Sequence, residues 1–241
     1  MNALQMVNEL LSRFGLAEVS AFSGTAGADS TVALRKLNIA QTMIATSYPF
    51  SWNDSTNNGE ITTSQGTAVY NLSSANGRVS RLLAARHNYN GGGVIDIVDR
   101  PTLERYKPKR DATTDQDIPR YLTTYGKIFS SGAWHWQIEI FPIPDANFDG
   151  QRIFYFFQQE PTDLSSETDV SVIPIEFHPL LIDNAELLYR TGAVRVGGDQ
   201  NQVDLFAMVA SRVDEGMKRL VAADTSWGVK TQTWDIEQLP L

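Results

Sequence analysis

Along the first fourteen residues Ala3, Val7, Leu10, Leu11 and Phe14 recur at helical spacing, and Gly15 follows as a stop, so a first helix is expected. The small, Gly-rich run SAFSGTAGA (20–28) reads as a connection. A second helix is then expected from Asp29 or Ser30, with Ala33, Leu37, Ala40 and Ile44 along one face, ending near Ser47 because Pro49 disfavours helix in the residue before it. The period changes in the middle of the chain. Asn58-Gly59, Asn76-Gly77, Asn90-Gly91 and Asp149-Gly150 separate segments rich in Val, Ile, Thr and aromatic residues, the chemistry of hairpin turns. Strands are expected near 50–53, 60–63, 67–72, 78–85, 93–98, 120–125, 134–141 and 151–159. RVSRLLAARH (78–87) has helix-forming residues but sits between two Asn-Gly turns, and the turns decide for strand. Pro101 predicts one short helix interrupting the sheet.

Helical period returns after residue 173. One helix is expected from Pro174–Pro179 to Arg190, with Gly192 past its end, and a last one from Asp199, along which Val203, Phe206, Ala210, Val213, Met217 and Leu220 form a narrow seam. From Asp224 onward the pattern has neither period and reads as an extended arm. The expected fold is α+β: an antiparallel α-helical bundle from 1–48 and 173–223, an inserted antiparallel β domain over 49–172, and an extended C-terminal arm over 224–241.

A chain of 241 residues, 42% hydrophobic, can bury a substantial core, and no run of about 18 apolar residues is available to cross a membrane. The opening residues lack a basic region followed by an apolar block, so no signal peptide is expected. With no cysteine, disulfides and thiolate chemistry are excluded, which suits a reducing cytoplasm; the sequons at Asn53 and Asn71 are then expected to stay unmodified. A net charge of −8 argues against a protein that grips nucleic acid, which needs an excess of Lys and Arg.

Candidate chemistry is sparse. Asp145, Asn147, Asp149 and Gly150 match the first half of a calcium loop, but Phe156 stands where a bidentate Glu is required, so a turn is expected. His87, His135 and His178 show no ligand spacing and read as packing or hydrogen-bonding residues, and Gly91–Gly93 lacks the Lys-Ser/Thr of a phosphate loop. No nucleophile elbow is present, and a pair of carboxylates meeting across the fold is the one catalytic arrangement that spacing does not address. No catalytic, cofactor-binding or metal site is expected, and no enzyme. The basic run Arg105, Lys107, Lys109 and Arg110 has two readings: a solvated loop balanced by Asp111, Asp115 and Asp117, or a subunit contact with Asp163, Glu167 or Asp169 of a neighbour. In the strand 153–157 alternation puts Ile153, Tyr155 and Phe157 on one face and Phe154 and Phe156 on the other, with both expected to be covered.

One ordered series of turns stands out: Pro142, Pro144 and Asp145; the aromatic Tyr155 to Phe157; Pro161 to Ser165; and Ile173, Pro174 and Phe177. In order and spacing it resembles the phage head-to-tail adaptor (connector) family, with looser likeness from the first helix to about residue 222. The resemblance implies a structural virion protein, assembled in the host cytoplasm and placed at the head–tail junction. Its partners would be the portal protein, a tail or nozzle protein and further copies of itself, in a ring of about twelve, a dodecamer. Genomic DNA would pass through the channel without sequence-specific binding, and no membrane is involved. Trp227, Trp234, Ile236, Leu239 and Leu241 would be costly to leave in water and are expected to anchor the arm on the portal or a neighbouring subunit. The rival readings are a carbohydrate-binding or tail-fibre-type β module using Trp134, Trp136 and the aromatic strand, and a hydrolase with a carboxylate pair.

Overall fold

The computed structural model describes residues 1–22, 27–55, 58–72, 79–88, 93–107, 115–130, 133–195 and 200–226. They divide into two compact units, Met1–Asn53 with Pro161–Leu241, and Asp54–Glu160.

In the first unit α1 (Ala3–Arg13) begins with a reciprocal cap: Asn2 Oδ1 accepts from Gln5 N–H at 2.9 Å, and Gln5 Oε1 accepts from Asn2 N–H at 2.9 Å. The second helix, α2 (Gly27–Ser47), buries the predicted face Ala33, Leu37, Ala40 and Ile44 against α1 and α4 (His178–Arg195). The fourth member, α5 (Gln200–Ser226), packs on α4. Met6, Leu10 and Leu11 of α1, Leu181, Ile182 and Ala185 of α4, Leu220 of α5, and Phe50, Leu164 and Ile173 from the connecting segments complete one core. Gly216 lets α5 approach closely, since a Cβ there would lie 2.7 Å from Leu180 Cδ1.

A charged cluster holds three of these helices. Glu186 of α4, its side chain 4% exposed, accepts from Arg190 Nε at 2.8 Å, from Arg13 Nη1 of α1 at 2.9 Å and from Arg212 Nη2 of α5 at 3.2 Å, while Asp183 accepts from Arg13 Nη1 at 2.5 Å. Burial alone would raise the Glu186 carboxyl, but the hydrogen bonds and charges of Arg190 and Arg13 outweigh it and hold it below the usual carboxylate range. Nearby His178, wholly buried, has Nε2 3.0 Å from Ile173 O, and burial lowers its pKa.

The second unit is a seven-stranded sheet in the order β1-β7-β3-β4-β5-β6-β2, comprising β1 (Gly59–Thr62), β2 (Val69–Asn71), β3 (Val79–His87), β4 (Val94–Ile97), β5 (Tyr121–Ser130), β6 (Ala133–Phe141) and β7 (Arg152–Gln159). Both edge strands are neighbours in sequence, joined only by residues 63–68. A flat sheet would set its edges about 29 Å apart. The link reaches at most about 25 Å even fully extended, and it is not extended, because Gly66 (φ 74) makes a tight turn and Thr67 N–H donates to Ser64 O at 3.0 Å. The sheet therefore curls into a nearly closed barrel. Ile61, Leu72, Val79, Ala85, Ile95, Leu122, Ile138, Ile140, Ile153, Tyr155 and Phe157 fill its inside. The link is pinned to the segment between β6 and β7 by Gly66 N–H to Pro144 O (3.0 Å), Thr63 N–H to Gln151 O (2.8 Å) and Gly150 N–H to Thr63 O (2.9 Å).

The expected antiparallel bundle with an inserted antiparallel β domain is thus corrected. Among the described residues the fold is α+β with five α-helices and a mixed, barrel-like sheet. Strands β4 and β5 run parallel, which demands a crossover, and α3 (Arg100–Tyr106), capped by Asp99 Oδ1 on Thr102 N–H at 2.9 Å, lies within it. Residues 161–172 belong to the helical unit. The expected strand at 50–53 is instead a buried Phe50 followed by a 3₁₀ turn, Ser51–Asn53. Helix α4 runs through Gly192 to Arg195, and α5 continues to Ser226, so residues 224–226 are helix rather than arm. Two of the four Gly turns, Asn76-Gly77 and Asn90-Gly91, lie outside the described residues.

Asn58-Gly59 is not a hairpin turn. Gly59 pairs with Tyr155 across β1 and β7, and a Cβ at Gly59 would fall on the buried Tyr155 ring. Gly59→Ala should cost the sheet unit about 2 kcal/mol by overpacking, whereas Gly93→Ala, with open space around it, should stay near neutral; thermal melts of the two variants check this. For the helical unit, a carboxyl held below its ordinary 4.5 adds stability that is present above that value and lost as pH falls below it. A neutral buried His178 likewise costs stability as pH falls below 6.5. Glu186→Gln should lower stability by about 3 kcal/mol at neutral pH and make the loss below pH 4.5 shallower, while the decline that starts near 6.5 persists; denaturant titrations across pH 3–7.5 measure both.

Candidate interaction surfaces

Among the described residues no three His, Asp or Glu side chains gather as metal ligands, and no helix is long and apolar enough to cross a membrane. The polar groups singled out from the sequence are mostly occupied in local structure. Asp145 Oδ1 accepts from Asn147 and Phe148 N–H at 2.9 and 3.1 Å and caps the turn Ala146–Phe148, while Asp149 Oδ1 accepts from Gln65 N–H at 3.0 Å. The calcium-like run is a capped turn leading into β7. Buried His87 sets Nε2 2.7 Å from Pro119 O, and burial lowers its pKa.

The acidic loop 161–172 folds onto the start of the chain. Asp169 accepts from Ser165 and Ser166 N–H at 2.7 and 2.8 Å, and Glu167 from Phe22 N–H at 3.0 Å; these donors hold both carboxyls below their ordinary values. Ala3 and Leu4 N–H donate to the Asp169 and Glu167 carbonyls at 2.7 and 3.2 Å. Two of the three acidic side chains proposed to meet a neighbour's basic loop are therefore used within the unit. Asp163 is exposed.

The basic run is divided in the same way. Arg105 ends α3 and is exposed. Lys107 turns back onto the sheet, where it pairs with the buried Glu139 of β6 and lies 3.4 Å from Glu104. Lys109 and Arg110, and the arm residues Trp227, Trp234, Ile236, Leu239 and Leu241, lie outside the described residues. On β7, Ile153, Tyr155 and Phe157 face the core as expected, and the Arg86 guanidinium lies 5.9 and 5.7 Å from the rings of Phe154 and Phe156 on the other side. Trp136 packs against the core with Lys127 Nζ 4.6 Å from its ring, so it is not an open sugar platform.

Among the exposed apolar side chains, one group on a single helix was not foreseen. On α2 a second stripe, Val32, Arg35, Ile39 and Met43, runs opposite the buried face, with Val32, Ile39 and Met43 exposed by 43, 38 and 48%. Three of its members, Arg35, Ile39 and Met43, line an open groove of about 490 Å³ together with Thr31, Leu34, Asn38, Thr42 and Asp163. The signal was present in the sequence: Val32, Ile39 and Met43 recur at helical spacing one step off the core face. On the sheet unit Phe129, 59% exposed, and Ile128 stand towards the end of the β5–β6 hairpin.

The family model described as SU10 adaptor protein matches residues 1–233. The chain belongs to the SU10 adaptor protein family. A search of curated proteins returned no match. Membership makes the chain a phage adaptor and implies a place at the virion head–tail junction.

The Lys107–Glu139 pair separates the two readings of the basic run. Lys107→Ala strands a buried carboxylate and should cost the sheet unit about 3 kcal/mol, whereas Arg105→Ala should change stability by less than about 0.5 kcal/mol; equilibrium unfolding of both variants measures the contrast.

Proposed function

We propose that this adaptor forms a ring of about twelve copies beneath the portal, joining capsid to tail and continuing the DNA channel. The observation that carries the reading is the unpartnered outer stripe of α2 in a chain of the adaptor family: three exposed apolar side chains around Arg35 form the kind of face that a further protein surface covers. The stripe recurs in every copy. Head-to-tail contact through it with a different face of the next copy closes into a ring when the rotation allows.

With a net charge of −8 per chain, the assembly carries on the order of a hundred negative charges, so DNA slides past a surface that repels it. Trp227, Trp234, Ile236, Leu239 and Leu241 anchor the chain on the portal or on a neighbour, and Arg105, Lys109 and Arg110 add subunit contacts that Lys107, already paired, does not. No reaction is assigned, and assembly takes place in the host cytoplasm before the particle is complete.

Negative-stain microscopy of the full chain with purified portal should show ring-shaped particles seated on the portal. A chain that stays monomeric beside portal, or that binds glycans as a monomer, would overturn the reading.

A further inference from the structure

The groove along α2 and the place where α5 ends bear on one another. Single exposed apolar side chains are ordinary, but three on one helical stripe beside a groove are not. The stripe from Val32 to Met43 is about 17 Å long. Within the same unit, the Asp224 carboxylate near the end of α5 accepts from Ser51 N–H at 3.1 Å and from Ser51 Oγ at 2.7 Å, so the chain leaves α5 beside the segment that follows α2. Fifteen residues, 227–241, come after the last described one. Fully extended they span about 50 Å, several times what the stripe requires.

Their composition matches the groove. Residues 227–241 contain Trp227, Val229, Trp234, Ile236, Leu239 and Leu241, with Lys230 as the only cation and Asp235 and Glu237 as the only acids. The groove is lined by Arg35 and Asp163 beside the apolar Leu34, Ile39 and Met43. The acids of the segment complement the arginine and its lysine complements the aspartate, and its aromatic and aliphatic side chains match the exposed Val32, Ile39 and Met43 in chemistry.

We infer that in the unassembled protein residues 227–241 dock along α2 of the same copy, in the groove around Arg35. The contact hides an apolar stripe until assembly, and it occupies the residues that a portal would use. Portal attachment and exposure of the α2 stripe then become one event. The docking itself concerns the free chain; its release by the portal rests on the ring reading.

The chain has no cysteine, so introduced thiols report without background. Met43→Cys in the full-length protein should react with a maleimide about tenfold more slowly than the same thiol combined with Trp234→Ala, Ile236→Ala and Leu239→Ala, as a groove covered about nine-tenths of the time requires. Ala222→Cys on the exposed side of α5 serves as the reference and should react alike in both backgrounds. Equal rates at Met43→Cys overturn the proposal, as does protection that disappears on dilution, which would assign the groove to a second copy. Should the triple variant lose its helical circular dichroism, the pair Ile39→Cys and Ile236→Cys decides: oxidation should give a cross-linked monomer, and a ladder of oligomers or no cross-link refutes docking within the copy.

Discussion

A carboxylate taken out of water must find cations, and Glu186 finds them on three separate helices. Arg13, Arg190 and Arg212 converge on its two oxygens, so α1, α4 and α5 are fixed relative to one another by a directional constraint as well as by their apolar seam. A slide of one turn in any of them would strand a buried charge, at a cost comparable to a large part of a domain's net stability. No charge on α2 joins this cluster. It is held through Ala33, Leu37, Ala40 and Ile44 and through side-chain amides, with Asn38 Nδ2 and Gln41 Nε2 donating to the Leu164 and Thr162 carbonyls at 3.0 and 2.9 Å. On that helix Val32, Ile39 and Met43 are exposed and available for contacts beyond the unit.

Much of this order is written locally. The four core positions of α2, the stop before Pro49, the short helix marked by Pro101 and the alternation in β7 were all legible, because each depends on residues within a few positions of one another. RVSRLLAARH shows a local conflict settled by context: its Leu and Ala favour helix, yet it pairs with both β7 and β4 as β3. Beyond element ends and the segment 50–53, the misreadings were non-local. The parallel pairing of β4 with β5 and the meeting of the sheet's two edges arise from contacts between distant segments, which hairpin signals do not encode. Lys107 and Glu139 are 32 residues apart, so a lysine that looked like part of a displayed basic run could not be seen to be spoken for.

The candidate surfaces were legible in a different way. The series of turns from Pro142 to Phe177 pointed to the adaptor family through residues that hold the fold: Asp145 and Asp149 secure the ends of loops, Pro161 and Leu164 are buried, and Asp169 ties its own loop. The stripe on α2 was overlooked because its apolar residues lie next to the core face and merge with it in a linear reading. Their separation needs the helix to be placed against its neighbours, which shows Ala33 and Leu37 fully buried and Val32 and Ile39 facing out.

The near-closure of the sheet has a consequence for how this chain can meet another chain. A strand with a free edge is a template, and crowding identical chains at one site is the condition under which such templates fuse. Here the edges are β1 and β2, four and three residues long, turned towards each other by a six-residue link that is itself pinned down. Too few backbone groups remain in line to recruit a foreign strand. A chain with such edges offers other proteins its side chains rather than an unpaired strand, and its sheet is not a place where a second sheet can grow on.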